Sequence, residues 1–144
     1  MPFAVRMDHT SPEFEEGLLE DCGLLSTRYP DGWVLRLHEL GDFFDTDYVR
    51  FWETMLDVFQ PLHIFGYSHR KGRIGGALDN LTSDRFRIMD SDGAHRSKVR
   101  QPAIVSSEPV PGYVTCPQQE ERTPSCITCG LCMNGRTPIR FIDH

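Results

Sequence analysis

The sequence predicts an α/β protein, a small parallel sheet built from βαβαβ units and either open or partial-barrel-like, with a four-cysteine metal-binding tail at its C-terminus. Three observations carry this expectation. Apolar runs with two-residue alternation take turns with a run of helical periodicity. The spacing of these runs suits right-handed crossovers between parallel strands. Four of the five cysteines fall within residues 116–132. At 144 residues the chain fits one domain with a real core. We read residues 1–114 as the α/β part, opening with a helical or irregular segment over 1–30, and 115–144 as a tail packed on the same domain.

Taken in order, Ser11-Pro12-Glu13 opens like a helix, with Ser11 as N-cap, Pro12 at the first position and acids in the first turn. Gly23 is expected to end it, and Pro30-Asp31-Gly32 to make a turn. Residues 33–40 form the clearest strand: Trp33, Leu35 and Leu37 point one way, Val34, Arg36 and His38 the other. Asp45 and Asp47 offer caps for a buried helix over about 46–59, where Val49, Trp52, Met55 and Leu56 recur at helical spacing. A second strand is expected over 61–67 and a short helix over 74–81, weakened by Gly75-Gly76. A third strand follows over 85–89. Residues 101–114, with three prolines, make an extended connection that can include a strand at 103–105. A closing strand is expected over 138–142.

Cysteines at 116, 126, 129 and 132 sit in a Pro/Gly-punctuated stretch with no apolar core to fill. Cys126-Ile-Thr-Cys129-Gly130 has the shape of a metal knuckle, in which glycine permits the positive φ of the turn. Cys132 and Cys116 complete four thiolates, leaving Cys22 as a spare thiol. Two cofactors fit this set. Zinc takes four thiolates tetrahedrally and is structural. A 4Fe–4S cluster also takes four, and Cys-x-x-Cys-Gly-Leu-Cys is similar to the first three ligands of bacterial ferredoxins. The Cys-Pro pair, however, precedes the run here rather than following it.

No apolar run approaches the roughly 20 residues a membrane span needs. The N-terminal residues lack a signal peptide's basic start and long apolar stretch, so a cytoplasmic protein is expected. A net charge of −6 conceals an asymmetry: residues 1–60 carry 13 acids and 4 bases, residues 69–100 carry 8 bases and 4 acids. The basic segment 69–100 can face a nucleic acid, or it can answer the acidic half within the fold.

In an open parallel sheet, ligands bind beyond the carboxyl ends of the strands. The residues there are polar: His38, Glu39 and Asp42, then Ser68, His69 and Arg70, then Asp90, Ser91 and Asp92. His38, Asp42, His69 and Arg70 are the candidates for an acid–base site, and Arg36 shares a strand face with His38. No Gly-rich phosphate loop, nucleophile elbow or His-x-x-x-His pair is present.

The stretches Leu35 to Phe43, Tyr48-Val49 with Trp52, Phe65 to Arg70, Cys116-Pro117 through Cys132, and Phe141 to His144 carry a further signal. On these residues, the chain over roughly 33–144 resembles phage and prophage proteins of the gene-product-88 type. Longer members have an additional N-terminal Cys-rich segment, of which only Cys22 has a counterpart here. The resemblance implies no established activity. It implies an α/β layout loosely similar to the partial barrels of radical S-adenosylmethionine enzymes, whose Cys-x-x-x-Cys-x-x-Cys motif is missing.

Three functional expectations follow. One is a metal-binding (4Fe–4S or zinc) phage-type accessory protein acting on a host or phage macromolecule, with a protein partner in the host cytoplasm. Another is an enzyme with its site at the strand ends around His38, Asp42 and His69. The third is nucleic-acid binding through residues 69–100.

Overall fold

Parallel strands cannot join by tight turns, so each connection must cross a face of the sheet, and here those crossings cover both faces. The structure, a computed structural model, describes residues 11–38, 41–91 and 100–143. Its elements are α1 (Pro12–Arg28), β1 (Trp33–Leu37), α2 (Thr46–Val58), β2 (Leu62–Ser68), α3 (Gly72–Asp79), β3 (Phe86–Ser91), β4 (Pro102–Ser106), β5 (Val114–Thr115), α4 (Cys126–Cys129), α5 (Leu131–Asn134) and β6 (Ile139–Ile142). The six strands form one sheet in the order β1-β2-β3-β4-β6-β5, and every described pairing is parallel. The expected α/β class and parallel sheet are therefore present, with strand β5 in addition. The expected closing strand, β6, lies inside the sheet between β4 and β5.

Alternation along the strands sorts the side chains onto two faces. Leu62 and Ile64 of β2, with Phe86 and Ile88 of β3, pack against Val49, Trp52, Met55 and Leu56 of α2 and Leu78 of α3 in the larger core. Trp52 is buried, so truncating it to alanine would cost about 3–5 kcal/mol. The opposite face carries a smaller cluster: Met89, Ala103, Cys116 and Ile139, with Tyr67, Phe141, Leu131 and Cys132 against them. Thus the cysteine-bearing tail covers the second face of the same sheet. The proposed boundary between residues 114 and 115 falls inside β5, which pairs with β6.

Local chemistry explains most boundaries. Ser11 and Asp45 accept the backbone N–H groups of Phe14 and Tyr48, capping α1 and α2 as expected. Gly23 does not end α1. The helix runs on through Ser26, whose hydroxyl accepts the Trp33 indole N–H, and Cys22 anchors it in the core. The Arg85 guanidinium donates to the carbonyls of Leu56, Phe59, Gln60 and Leu62, closing the C-terminal end of α2. Arg140 donates to Ser106 O and Thr115 Oγ1, tying β4, β6 and β5 together.

The Gly75-Gly76 pair, which weakens α3 on propensity, has a steric cause at one position. A Cβ at Gly75 would stand 2.6 Å from the Arg70 carbonyl oxygen, whereas one at Gly76 would meet nothing within 4 Å. We predict that Gly75→Ala destabilises the protein by about 1–3 kcal/mol through this forced backbone shift. Gly76→Ala should leave stability unchanged or raise it by up to about 1 kcal/mol. Urea midpoints of the two variants check the pair.

Candidate functional site: one cavity shared by the cysteines and the strand ends

On the tail-covered face the sheet encloses a cavity of about 560 Å³. That volume falls within the range of small-molecule sites. Residues from both sequence-predicted groups line it. All four cysteines (Cys116, Cys126, Cys129 and Cys132) do so, as do Arg36, His38, Asp42 and His69. Its apolar walls include Phe65, Phe141 and Ile139. Arg70, the remaining acid–base candidate, is not among the lining residues. Its backbone N–H donates to Ser68 Oγ, and its carbonyl is the group that Gly75 accommodates. Glu39, Asp92 and His144 lie outside the described residues, as do the N-terminal residues 1–10.

The cysteine wall is made by two single helical turns. Ser125 caps α4 by accepting the Thr128 N–H, and Cys126 and Cys129 stand three residues apart on that turn. Gly130, at φ 67°, ends α4 and starts α5, as the knuckle reading requires. Cys132 lies on α5, and Cys116 follows β5, where its N–H bonds to Arg140 O. Burial pushes the Cys132 thiol above its ordinary value; the Tyr67 hydroxyl opposes this, and the other three thiols add to it. Four thiols line one cavity, the number that zinc or an iron–sulfur cluster takes. Among the described residues, no group of three or more Cys, His, Asp or Glu side chains is gathered closely enough to hold a metal ion. Cys22 stands apart in the core, where burial, and secondarily Asp21, raise its thiol to about 11. A thiol held in that state is a poor nucleophile.

The polar end is organised by Asp42. Its carboxylate is only 4% exposed. One oxygen accepts the Phe43 N–H at 2.7 Å, and the other accepts the backbone N–H of His69 at 3.0 Å, with the His69 Nδ1 atom also 3.0 Å away. Asp42 thereby ties the loop after β1 to the end of β2. A proton on Nδ1 would face the Asp42 carboxylate and leave Nε2 as the acceptor of the ring. That ring is 67% exposed, at the cavity mouth.

His38 differs from the strand-alternation expectation. It adopts φ 58°, the left-handed region, which ends β1 and swings its ring onto Phe43 and Tyr48 at centroid distances of 4.6 and 5.7 Å. It borders the cavity while packing into the helix-side aromatic cluster. Its Nδ1 is buried without a partner, and burial lowers its pKa against the opposing pull of Asp42. Arg36, in contrast, reaches the cavity as expected and lies over the Tyr67 ring at 5.7 Å. Phe65 and Tyr67 were not singled out from sequence. Alternation along residues 62–68 places them opposite Leu62 and Ile64 and could have found them.

The basic segment is largely consumed inside the fold. Arg85 caps α2, the buried Arg100 pairs with Asp79, and Arg87 pairs with Asp84. Arg70, Lys71 and Arg73 remain from the described part of the segment, while Arg96 and Lys98 lie outside the described residues.

A parallel sheet covered on one face by helices and on the other by a cysteine-bearing lid defines the class: an α/β protein with a cavity between sheet and lid. By sequence, the chain is distantly related to phage proteins of the gene 88 type. It is 25% identical over 129 residues to the Gene 88 protein of Mycobacterium phage D29, covering 75% of this chain and 54% of that one. It is 24% identical over 128 residues to the Gene 88 protein of Mycobacterium phage L5, with the same coverage. The chain thus spans about half the length of the curated relatives it matches. No protein-family model matches it. No solved structure matches it either. Among the described residues, no helix is long and apolar enough to cross a membrane.

Because the folded state disfavours the His38 imidazolium, acidification through the ordinary value of 6.5 lets the unfolded chain bind a proton that the folded chain resists. Stability should therefore fall between pH 7 and about pH 5.5. His38→Asn, which tolerates the left-handed backbone and does not titrate, should flatten that slope in melting temperature against pH. An unchanged slope would contradict the assignment.

Proposed function

We propose that this chain is a metal-binding, phage-type accessory protein, with Cys116, Cys126, Cys129 and Cys132 as ligands of a 4Fe–4S cluster or a zinc ion. The supporting observation is that thiols from three separate segments line one wall of one cavity, two of them on a glycine-punctuated helical turn. A bound metal would fix the lid over the sheet, because ligand binding to the folded state adds directly to its stability. Zinc would make the site structural, while a cluster would add electron-transfer capacity.

The partner side of this reading draws on α1. Glu13, Glu15, Glu16, Glu20 and Asp21 are exposed along it, as are Leu19, Leu24 and Leu25. An acidic helix with exposed leucines suits a basic protein surface in the host cytoplasm. Direct nucleic-acid binding has less to work with, since Arg85, Arg87 and Arg100 are engaged internally.

A second reading is favoured by the Asp42–His69 pair. Asp42 orients the imidazole and would stabilise the imidazolium once Nε2 has taken a proton from a molecule in the cavity. This is the arrangement of a general base, and its position beyond the strand ends is where α/β sheets bind ligands.

Metal analysis after anaerobic purification tests the first reading. We expect one metal centre per chain, brown with visible absorption if iron–sulfur and colourless if zinc. Cys126→Ser, Cys129→Ser and Cys132→Ser should each reduce metal content sharply and leave the lid more open to protease, while Cys22→Ser should leave metal content unchanged. Metal-free protein with four freely reacting thiols would end this reading. A partner that binds α1 should be lost on Glu15→Lys combined with Glu16→Lys, and also at high salt.

A further inference from the structure

The cavity is lined by a cation that meets no carboxylate among the described residues. Arg36 lines the cavity, rests on the Tyr67 ring, and makes no ion pair with any carboxylate among the described residues. Asp42, the acid that lines the same cavity, has both oxygens engaged by Phe43 and His69. The fold thus presents a solvent-accessible guanidinium, lying over an aromatic ring, to the cavity, and the described residues supply no anion for it. A planar guanidinium offers a fork of N–H donors that matches a carboxylate or phosphate.

The surface beside it is aromatic. Tyr67 meets Phe65 and Phe141 edge-on, at centroid distances of 6.5 and 5.7 Å. Phe65, Tyr67 and Phe141 all line the cavity. Such a wall accepts a flat apolar body, and polar specificity then rests on a few groups at its edges. Beyond the strand ends stands His69, held by Asp42 with Nε2 available.

We propose that the cavity binds a small molecule whose carboxylate or phosphate group is held by Arg36 and whose flat apolar part lies against Phe65, Tyr67 and Phe141. The end of that molecule near His69 presents the proton that Nε2 accepts. The last element rests on the acid–base reading of Asp42 and His69. The binding element stands independently of it and of the metal's identity.

Titration of the 144-residue chain, as purified, with sodium benzoate, phenyl phosphate, inorganic phosphate and benzyl alcohol, followed by NMR, tests the binding element. Benzoate or phenyl phosphate should bind at least about tenfold more tightly than the uncharged benzyl alcohol and than inorganic phosphate, shifting the Tyr67 and Phe141 ring signals. Which of the two binds more tightly identifies the anion. Arg36→Gln should remove the preference over benzyl alcohol, and Arg36→Lys, which keeps charge but not the fork, should retain part of it. Equal binding of charged and uncharged probes, or unchanged anion binding in Arg36→Gln, would overturn the proposal. So would an Arg36→Gln effect confined to metal retention, since Arg36 would then be a counter-charge to the thiolates. The acid–base element is read separately, from the nitrogen-15 signals of His69. The neutral ring should carry its proton on Nδ1, and Asp42→Asn should redistribute it between the two nitrogens. A ring already protonated on Nε2 sinks that element while leaving the anion site standing.

Discussion

A parallel sheet must be covered on both faces, and how this chain meets that demand determines nearly everything else about it. The crossovers α2 and α3 bury one face in the conventional way, with Trp52, Met55 and Leu56 against Leu62, Ile64 and Phe86. Among the described residues, the other face has no comparable helix. It is covered by two four-residue turns and the irregular chain around them, which place Leu131 and Cys132 on Tyr67, Met89 and Phe141. A lid so short cannot fill the concavity, and the unfilled part is the cavity. Site and fold are therefore one problem: the space exists because the second layer is thin.

Much of the first layer was legible in the sequence, because it follows local rules. The Asp45 cap, the helical spacing from Val49 to Leu56 and the strand alternation around Trp33 each place an element correctly. The failures have physical causes that no local rule contains. Gly23 looks like a stop, but the burial of Cys22 and the Ser26 contact with Trp33 carry α1 past it. Strand β5 is two residues long, too short for any periodicity, and exists only because β6 offers it an edge. His38 obeys alternation until its backbone turns left-handed, which packs the ring on Phe43 at the cavity's border.

The candidate site was legible in pieces but not as a whole. The cysteine spacing and the strand-end polar residues were each visible, and each pointed to a different chemistry. Nothing in the sequence placed them against the same space, because that depends on the lid folding back over β2 and β3. The basic segment was open to two readings, a surface for nucleic acid or an internal counterpart to the acidic half. Arg85 and Arg100 follow the second, one fastening a helix end and the other pairing with Asp79.

The strand order has a consequence for the timing of synthesis. Strand β6 is the last described element of the chain but an interior strand of the sheet, and β5 has no edge to join until β6 is in place. During translation, β1, β2 and β3 can assemble with α2 and α3 while the remainder is still being made. The half of the sheet beneath the lid must wait until Ile142 has left the ribosome. Until then, β4 and the cysteine segment emerge without the strand that separates and joins their neighbours. The thiols are thus made, and exposed, before the cavity they will line is closed.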